Sequence, residues 1–83
     1  MPEIARFYGI VVKMFYKPKE HEPAHIHVLY GEYVGVYYLD TCQMFEGDLP
    51  LKARKIVEEW LDLHKANLRT MWNTQVFYSL PPL

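Results

Sequence analysis

The sequence predicts a small α+β domain in which an antiparallel sheet of three to five strands packs against one long C-terminal helix. The first half of the chain is rich in β-branched and aromatic residues and is interrupted by Gly and Pro at short intervals. The second half has no Gly or Pro between residues 51 and 80 and carries an apolar stripe at helical spacing. Strands that precede a helix in this way are typical of the α+β class.

The predicted strands lie within about residues 4–46. They are expected at residues 4–7, 10–16, 25–30 and 33–40, with a short edge strand at 43–46. The second strand is apolar on both faces, which is typical of an inner strand. Only Gly31-Glu32 separates the third strand from the fourth, and glycine at the first central position indicates a two-residue type II′ hairpin.

One helix is predicted from about residue 49 to 76, followed by a short tail at 77–83. Asp48 is expected to cap this helix, and Pro50 is tolerated in its first turn. Its apolar stripe consists of Ala53, Ile56, Val57, Trp60, Leu61, His64, Leu68, Met71 and Trp72. At about 1.5 Å per residue the helix is longer than a small sheet is wide. Its C-terminal half is therefore expected either to fold back or to cover another subunit, which makes a homodimer through the helix a hypothesis.

Length and composition indicate a single soluble domain over residues 1–83. The chain is 51% hydrophobic and 16% aromatic, a dense apolar inventory for 9.9 kDa. A net charge of −1 and a pI near 6.4 argue against a strongly basic nucleic-acid coat protein. The single cysteine, Cys42, excludes an internal disulfide framework, and no apolar run approaches the roughly 18 residues of a membrane span. We expect a cytoplasmic protein with no membrane partner.

Charge is segregated along the chain even though its sum is close to zero. Residues 20–50 carry acidic side chains and no Lys or Arg, whereas both flanking segments are net positive. The candidate binding residues are Lys13, Lys17, Lys19, Lys52, Arg54 and His21. The first three lysines supply positive potential, and Lys52 and Arg54 begin the helix, where an anion or phosphate can bind. The alternative is that Arg54 forms an ordinary i, i+4 ion pair with Glu58.

Three of the four histidines lie together in the segment His21-Glu22-Pro23-Ala24-His25-Ile26-His27. Side chains alternate along a strand, so His25 and His27 are expected on one face. Closure at Gly31-Glu32 places Tyr38 opposite His25, with Asp40 just beyond it on the same face. The other face is expected to pack on the helix through Ile26, Val28, Tyr30, Tyr33, Tyr37 and Leu39.

This histidine face has three interpretations. His25 and His27 are candidate acid–base or phosphate-contact groups, oriented by Tyr38 and Asp40. Together with His21 they could instead hold a divalent metal such as zinc or nickel, because imidazole is the commonest nitrogen ligand. The third interpretation is structural, since prolines stiffen the loop and imidazoles form local hydrogen bonds.

Five short motifs follow one another along the chain. They are Met1-Pro2-Glu3-Ile4, Arg6-Phe7-Tyr8-Gly9, Met14-Phe15-Tyr16, His21-Glu22-Pro23-Ala24-His25-Ile26-His27-Val28 with Tyr30, and Glu46-Gly47-Asp48-Leu49-Pro50. In this order they resemble the domain of unknown function 4160 family, a widespread family of small bacterial proteins. The resemblance covers about residues 1–75 and departs from the family pattern at Ala24, where many relatives have a second proline.

The resemblance implies a place in a two-gene module, because members of this family are commonly encoded beside a protein of the domain of unknown function 2442 family. That arrangement is similar to a toxin–antitoxin cassette. The leading hypothesis is a component of such a module that binds a small partner protein encoded nearby and contacts or cleaves RNA through the histidine face. The alternatives are a non-enzymatic protein-binding module with structural histidines and a small metal-binding domain. No catalytic residue is carried over from the family, so the site assignments depend on strand geometry alone.

Overall fold

The computed structural model describes residues 3–15 and 23–83. The elements in these residues are β1 (Glu3–Phe7), β2 (Ile10–Lys13), β3 (His25–Tyr30), β4 (Tyr33–Tyr38), β5 (Met44–Gly47) and α1 (Leu51–Thr74). Each strand pairs antiparallel with the next, so the strands form one sheet in the order β1-β2-β3-β4-β5. The predicted α+β class is confirmed, with the helix after the strands.

The β3–β4 hairpin has the register that the sequence predicts. Tyr30 pairs with Tyr33 and His25 pairs with Tyr38. Gly31 has a positive φ of 59°, which a type II′ turn requires at its first central position. The turn residue therefore determines which side chains lie on each face of the sheet.

One face of the sheet, called the inner face here, packs against α1. Ile26, Val28 and Tyr37 on this face are fully buried, and so are the helix residues Val57 and Trp60. Tyr33 was expected among the buried residues, but it is 45% exposed because it lies at the hairpin end, outside the core cluster. The opposite face, the outer face, carries the predicted histidines.

The start of α1 differs from the prediction. Pro50 is the N-cap residue and makes no side-chain capping hydrogen bond, so the expected cap by Asp48 is wrong. The backbone N–H of Asp48 instead donates to the carbonyl of Val34 at 3.0 Å. That bond continues the pairing of β5 with β4, and the helix can begin only after the chain has left the sheet.

Two strands end earlier than predicted, and the edge strand is shifted by one residue. β2 ends at Lys13, and the rest of its predicted length includes Tyr16, which lies outside the described residues. β4 ends at Tyr38, where the chain turns and the N–H of Cys42 donates to the Tyr38 carbonyl at 3.0 Å. The turn includes Asp40, so this residue does not belong to the strand that was expected to present it.

The C-terminal half of α1 is covered by its own chain. Gln75 adopts the left-handed conformation, with φ 59°, and its N–H caps the helix by donating to Met71. The chain then turns back, and the N–H of Leu80 donates to the carbonyl of Ile4 at 2.8 Å, on the edge of β1. Met71 and Trp72 are fully buried within this single chain. The folding-back alternative is therefore the observed one, and a homodimer through the helix stays a prediction that these two residues do not require.

Within residues 3–15 and 23–83, α1 is not apolar enough over a sufficient length to cross a membrane.

Candidate functional site

The predicted histidines lie side by side on the outer face of β3. His27 pairs with Lys13 of β2 on one side and with Val36 of β4 on the other, so these three side chains point the same way. His25, two residues earlier, pairs with Tyr38. The imidazole centroids of His25 and His27 are 5.4 Å apart. The sheet therefore brings His25, His27 and Tyr38 together, as the alternation predicted, and places Lys13 beside His27.

His25 is packed among aromatic rings, with only 9% of its surface exposed. Its ring centroid is 5.2 Å from that of Trp72 and 6.1 Å from that of Phe45, so the C-terminal end of α1 reaches this corner of the outer face. The Nδ1 atom lies 2.8 Å from the carbonyl oxygen of Pro23. Because a carbonyl can only accept, Nδ1 carries the proton, and a neutral imidazole then has its lone pair on Nε2. The loop proline thus fixes the tautomer of His25.

His27 is half-buried and lies between a lysine and an aromatic ring. The ring of Phe15 packs edge-on against its imidazole at a centroid distance of 4.4 Å. Lys13 lies on the neighbouring strand β2, in the same row as His27, and is half-buried. Among the described residues of the sheet, its ammonium group is the cation of this row. An imidazole beside a fixed positive charge suits contact with an anionic group.

A stacked aromatic pair borders the two histidines. The rings of Tyr38 and Phe45 are 3.9 Å apart and nearly parallel, at 13°. Phe45 belongs to the edge strand β5, and its side chain is 44% exposed. The sequence analysis did not include Phe45, because a register irregularity between Val36 and Tyr37 shifts the pairing of β5 along β4. Alternation along the strand could not reveal this contact. These residues, namely His25, His27, Tyr38, Phe45 and Phe15, are called the histidine corner below.

Other predicted site residues lie elsewhere. Asp40 is in the turn after β4, where its carboxylate is 4.0 Å from Arg69 and its carbonyl accepts from Lys65 at 2.6 Å. These two contacts of Asp40 are therefore with α1. Lys52 and Arg54 begin α1 on the inner side of the sheet, opposite the histidine corner, and Arg54 lies 3.7 Å from Glu58, as the ion-pair alternative predicted. The remaining three, His21, Lys17 and Lys19, lie outside the described residues.

The described residues contain no group of three or more His, Cys, Asp or Glu side chains placed to hold a metal ion. The predicted metal set consisted of His25, His27 and His21, and the last lies outside the described residues. The described pair of imidazoles is close enough to share one ion, with any further ligand supplied from elsewhere. Zinc or nickel binding stays a prediction.

The outer face has one apolar row with charged residues around it. This row runs from Arg6 through Val11 and Leu29 to Val34, and the next runs from Glu3 through Lys13, His27 and the buried Val36 to Glu46. Val34 is 47% exposed, and Val11 and Leu29 are half-buried. At the rim of this face the Arg6 guanidinium donates to both carboxylate oxygens of Glu3, which lowers the pKa of that carboxyl. An antiparallel sheet face that meets only water is usually polar, and this row of apolar side chains departs from that pattern.

A polar groove lies on the other side of β5, against α1. It has a volume of about 300 Å³ and is lined by Cys42, Gln43, Met44, Arg54 and Glu58. Burial raises the pKa of the Cys42 thiol, which favours the protonated, less nucleophilic form. The groove therefore offers no activated nucleophile.

The fold and the outer face define a small α+β domain with a pair of imidazoles at one corner of its sheet. Comparison with known families identifies the group to which it belongs. The family described as Domain of unknown function (DUF4160) matches residues 9–73, and the chain is a member of that family. No curated protein and no solved structure matches the chain.

Proposed function

We propose that this chain is a cytoplasmic component of a two-gene, toxin–antitoxin-like module and that it binds its small partner protein through the outer face of the sheet. The observation that carries the proposal is the apolar row formed by Val11, Leu29 and Val34 on the face opposite α1. Burial of apolar surface is the main favourable term in protein association. Val34 is exposed across nearly half of its surface, so a partner can remove it from water.

The acidic residue Glu46 and the ion-paired Arg6 lie at opposite ends of these rows. An apolar centre with a charged rim is the usual arrangement of a protein interface. The rim contributes orientation and association rate, whereas burial of the valines and leucine contributes affinity.

The test is complex formation with the small protein encoded beside this chain. Both proteins are co-expressed, and the complex is measured by size-exclusion chromatography with light scattering and by titration calorimetry. Val34→Glu is expected to weaken binding at least about 10-fold, because a carboxylate would be buried in an apolar interface. Leu63→Glu is the matched control, since Leu63 is 66% exposed on α1, away from the outer face. Equal affinity of the two variants would contradict the proposed surface.

Contact with RNA is a second candidate function, supported by the composition of the histidine corner. Exposed aromatic rings on a sheet, such as the Phe45–Tyr38 stack, can accept unpaired bases. Lys13 lies beside His27, where a phosphate would be neutralised. In a cleavage reaction one imidazole would take the proton of a ribose 2′-hydroxyl as the 2′-oxygen attacks phosphorus. The other, protonated, would give its proton to the departing 5′-oxygen, leaving a 2′,3′-cyclic phosphate and a 5′-hydroxyl.

Fluorescence anisotropy with a labelled single-stranded RNA tests this second function. Lys13→Gln and Phe45→Ala are each expected to weaken binding several-fold, while Lys52→Gln, a charge loss on the opposite side of the sheet, leaves it unchanged. Cleavage is tested on the same RNA with the His25→Ala/His27→Ala double variant. RNA affinity that responds equally to Lys13 and Lys52 would indicate non-specific charge attraction only, and would remove the RNA function.

A further inference from the structure

The C-terminal segment Val76–Leu83, called the strap here, lies across the edge of the sheet and the face of α1. It is attached by hydrogen bonds from four separate positions. These are Asn67 Nδ2 to the Tyr78 hydroxyl at 3.3 Å, Leu80 N–H to the Ile4 carbonyl at 2.8 Å, Trp60 Nε1 to the Pro81 carbonyl at 2.9 Å, and the Tyr8 hydroxyl to the Leu83 carbonyl at 3.4 Å. The strap is thus held at intervals along its length and not as a paired strand.

The side chain that anchors the strap is Leu80. It is only 8% exposed and belongs to the core cluster, whereas Val76 at the start of the strap is 63% exposed. Leu80 is followed by two prolines in the part of the strap that lies along the edge strand β1. Because proline has no backbone N–H, these two residues expose no unpaired backbone donor to water. The groove between β1, Trp60 and Tyr8 therefore holds one buried apolar side chain, Leu80, followed by two prolines that have no backbone donor.

Trp60 and Tyr8 recognise backbone atoms of the strap, whereas Asn67 contacts the side-chain hydroxyl of Tyr78. The buried indole of Trp60 donates to a carbonyl in a proline-containing segment, and the Tyr8 hydroxyl donates to a second carbonyl two residues further on. Domains that bind proline-rich peptides use the same chemistry, with aromatic donors directed at the carbonyls of a preformed extended chain. A segment from another protein with the same backbone shape would meet the same donors.

The strap does not fill the whole groove. A pocket of about 350 Å³ continues from Tyr8 and is lined by Tyr8, Tyr30, Lys52, Ala53 and Ile56. Tyr8 therefore contacts the last residue of the strap and also borders the pocket. A peptide longer than the strap could bury additional apolar groups there, and Lys52 would favour an acidic group on such a peptide.

The strap lies outside the residues 9–73 that match the family, and so does its partner strand β1. The connection to α1 is Gln75, a non-glycine residue with a left-handed φ of 59°. This left-handed residue ends α1, with its N–H donating to the Met71 carbonyl, and turns the chain toward the strap. The strap is thus joined to α1 by a left-handed cap residue and lies beyond the matched range.

We propose that the strap is a displaceable intramolecular ligand, and that the groove between β1, Trp60 and Tyr8 binds an extended segment of a partner protein in which an apolar residue is followed by proline. In the isolated chain the strap occupies the groove and competes with that segment. This surface is on the edge and inner side of the sheet, so the proposal does not depend on binding at the outer face.

The test uses the full chain carrying Leu80→Asp, which removes the strap's anchor, and a synthetic peptide with the sequence of residues 76–83 as the probe. Binding is followed through the indole N–H resonance of Trp60 in the ¹⁵N-labelled protein. The peptide is expected to bind Leu80→Asp at least about 10-fold more tightly than the unmodified chain, because an attached segment competes at a high effective concentration. Val76→Asp is the matched control and is expected to behave like the unmodified chain. A peptide in which Asp replaces the leucine corresponding to Leu80 is expected not to bind.

A folded Leu80→Asp chain that does not bind the peptide would overturn the proposal and leave the strap as a fixed cover of the edge strand. If this variant does not fold, hydrogen exchange of the unmodified chain decides. The proposal then requires the Leu80 amide to exchange at least about 100-fold faster than the amide of Val28 in the sheet centre, through local opening. Equal exchange of the two amides would mean that the strap is released only on global unfolding, which would also overturn it.

Discussion

The hydroxyl of Tyr37 on β4 donates a hydrogen bond to the Glu58 carboxylate of α1, with the two oxygens 3.1 Å apart. Tyr37 is fully buried, and Arg54 also approaches the same carboxylate at 3.7 Å. This contact is a polar tie between the sheet and the helix within an otherwise apolar interface. Its loss would leave Glu58 with a weaker set of partners.

The first prediction is that this tie makes the fold sensitive to alkaline pH. Burial, followed by the hydrogen bond to Glu58, raises the pKa of Tyr37 to about 12 from its ordinary 10. The folded state therefore favours the protonated phenol, and its stabilising effect is complete below pH 10. Between pH 10 and 12 this tyrosine ionises in the unfolded chain before it does in the folded chain. The free energy of unfolding therefore falls over this range by up to about 2–3 kcal/mol.

Urea unfolding at pH 8 and pH 11.5 measures this effect. Tyr37→Phe is expected to lower the free energy of unfolding by about 1 kcal/mol at pH 8 and to reduce the alkaline decline. Tyr33→Phe is the control because Tyr33 is 45% exposed at the hairpin end. An alkaline decline of the same size in the Tyr37→Phe chain would show that another group is responsible.

The second prediction concerns Gly47, at the end of β5. Its φ is +85°, and a Cβ atom there would overlap the carbonyl oxygen of Val34, which accepts the hydrogen bond from Asp48. Gly47→Ala is expected to lower the free energy of unfolding by more than about 2 kcal/mol, since strain and overlap add. Gly31→Ala has a similar positive φ of +59° but nothing within 4 Å of the new methyl group, so its cost is expected to be about 1 kcal/mol. Equal losses in the two variants, measured by thermal unfolding, would show that overlap with Val34 is relieved at no cost.

The parts of the fold that were predictable are those determined by local rules. Gly31 fixes the hairpin turn, and the alternation that follows from it places His25 and His27 on one face and Ile26 on the other. The helix is predicted by the spacing of its apolar residues, which are buried as expected except for the half-buried Ile56. The path of the chain after Gln75 was not predictable, because it depends on hydrogen bonds between residues far apart in the sequence, such as Leu80 with Ile4.

The candidate site was predictable in its central residues and not at its borders. The pairing of His25 with Tyr38 follows from the hairpin register. Asp40 turns toward α1 because β4 ends at Tyr38, and a strand end is not encoded by alternation. Phe45 reaches Tyr38 because of a local irregularity in the pairing of β5, for which the sequence carries no recognisable signal.

The third prediction concerns His64, which is buried on α1 with 9% of its surface exposed and lies 5.0 Å from Trp60 between ring centroids. Its Nε2 atom is buried and has no hydrogen-bond partner among the described residues. His64→Leu is expected to raise the free energy of unfolding by about 1 kcal/mol, because an unsatisfied polar atom is replaced by apolar surface of similar size. Leu68→Ala, one turn further along α1, is expected to lower it by about 2–5 kcal/mol and shows that the assay detects core packing. A loss of stability in His64→Leu would mean that Nε2 makes a favourable contact in solution.

The last prediction separates the metal hypothesis from the other two interpretations of the histidine corner. Two imidazoles whose centroids are 5.4 Å apart can ligate one ion, and His21 is the predicted third ligand. The metal hypothesis therefore requires one zinc or nickel ion per chain in titration calorimetry of the untagged protein. Binding must be lost in His25→Ala/His27→Ala, because a single remaining imidazole holds a divalent ion weakly.

His64→Ala is the control, since this histidine is buried on α1 and belongs to no group of potential metal ligands in residues 3–15 and 23–83. Absence of binding to the unmodified chain would eliminate the metal hypothesis and leave contact with RNA against a structural role for the two imidazoles. Binding that survives the double substitution would place the ion away from the histidine corner.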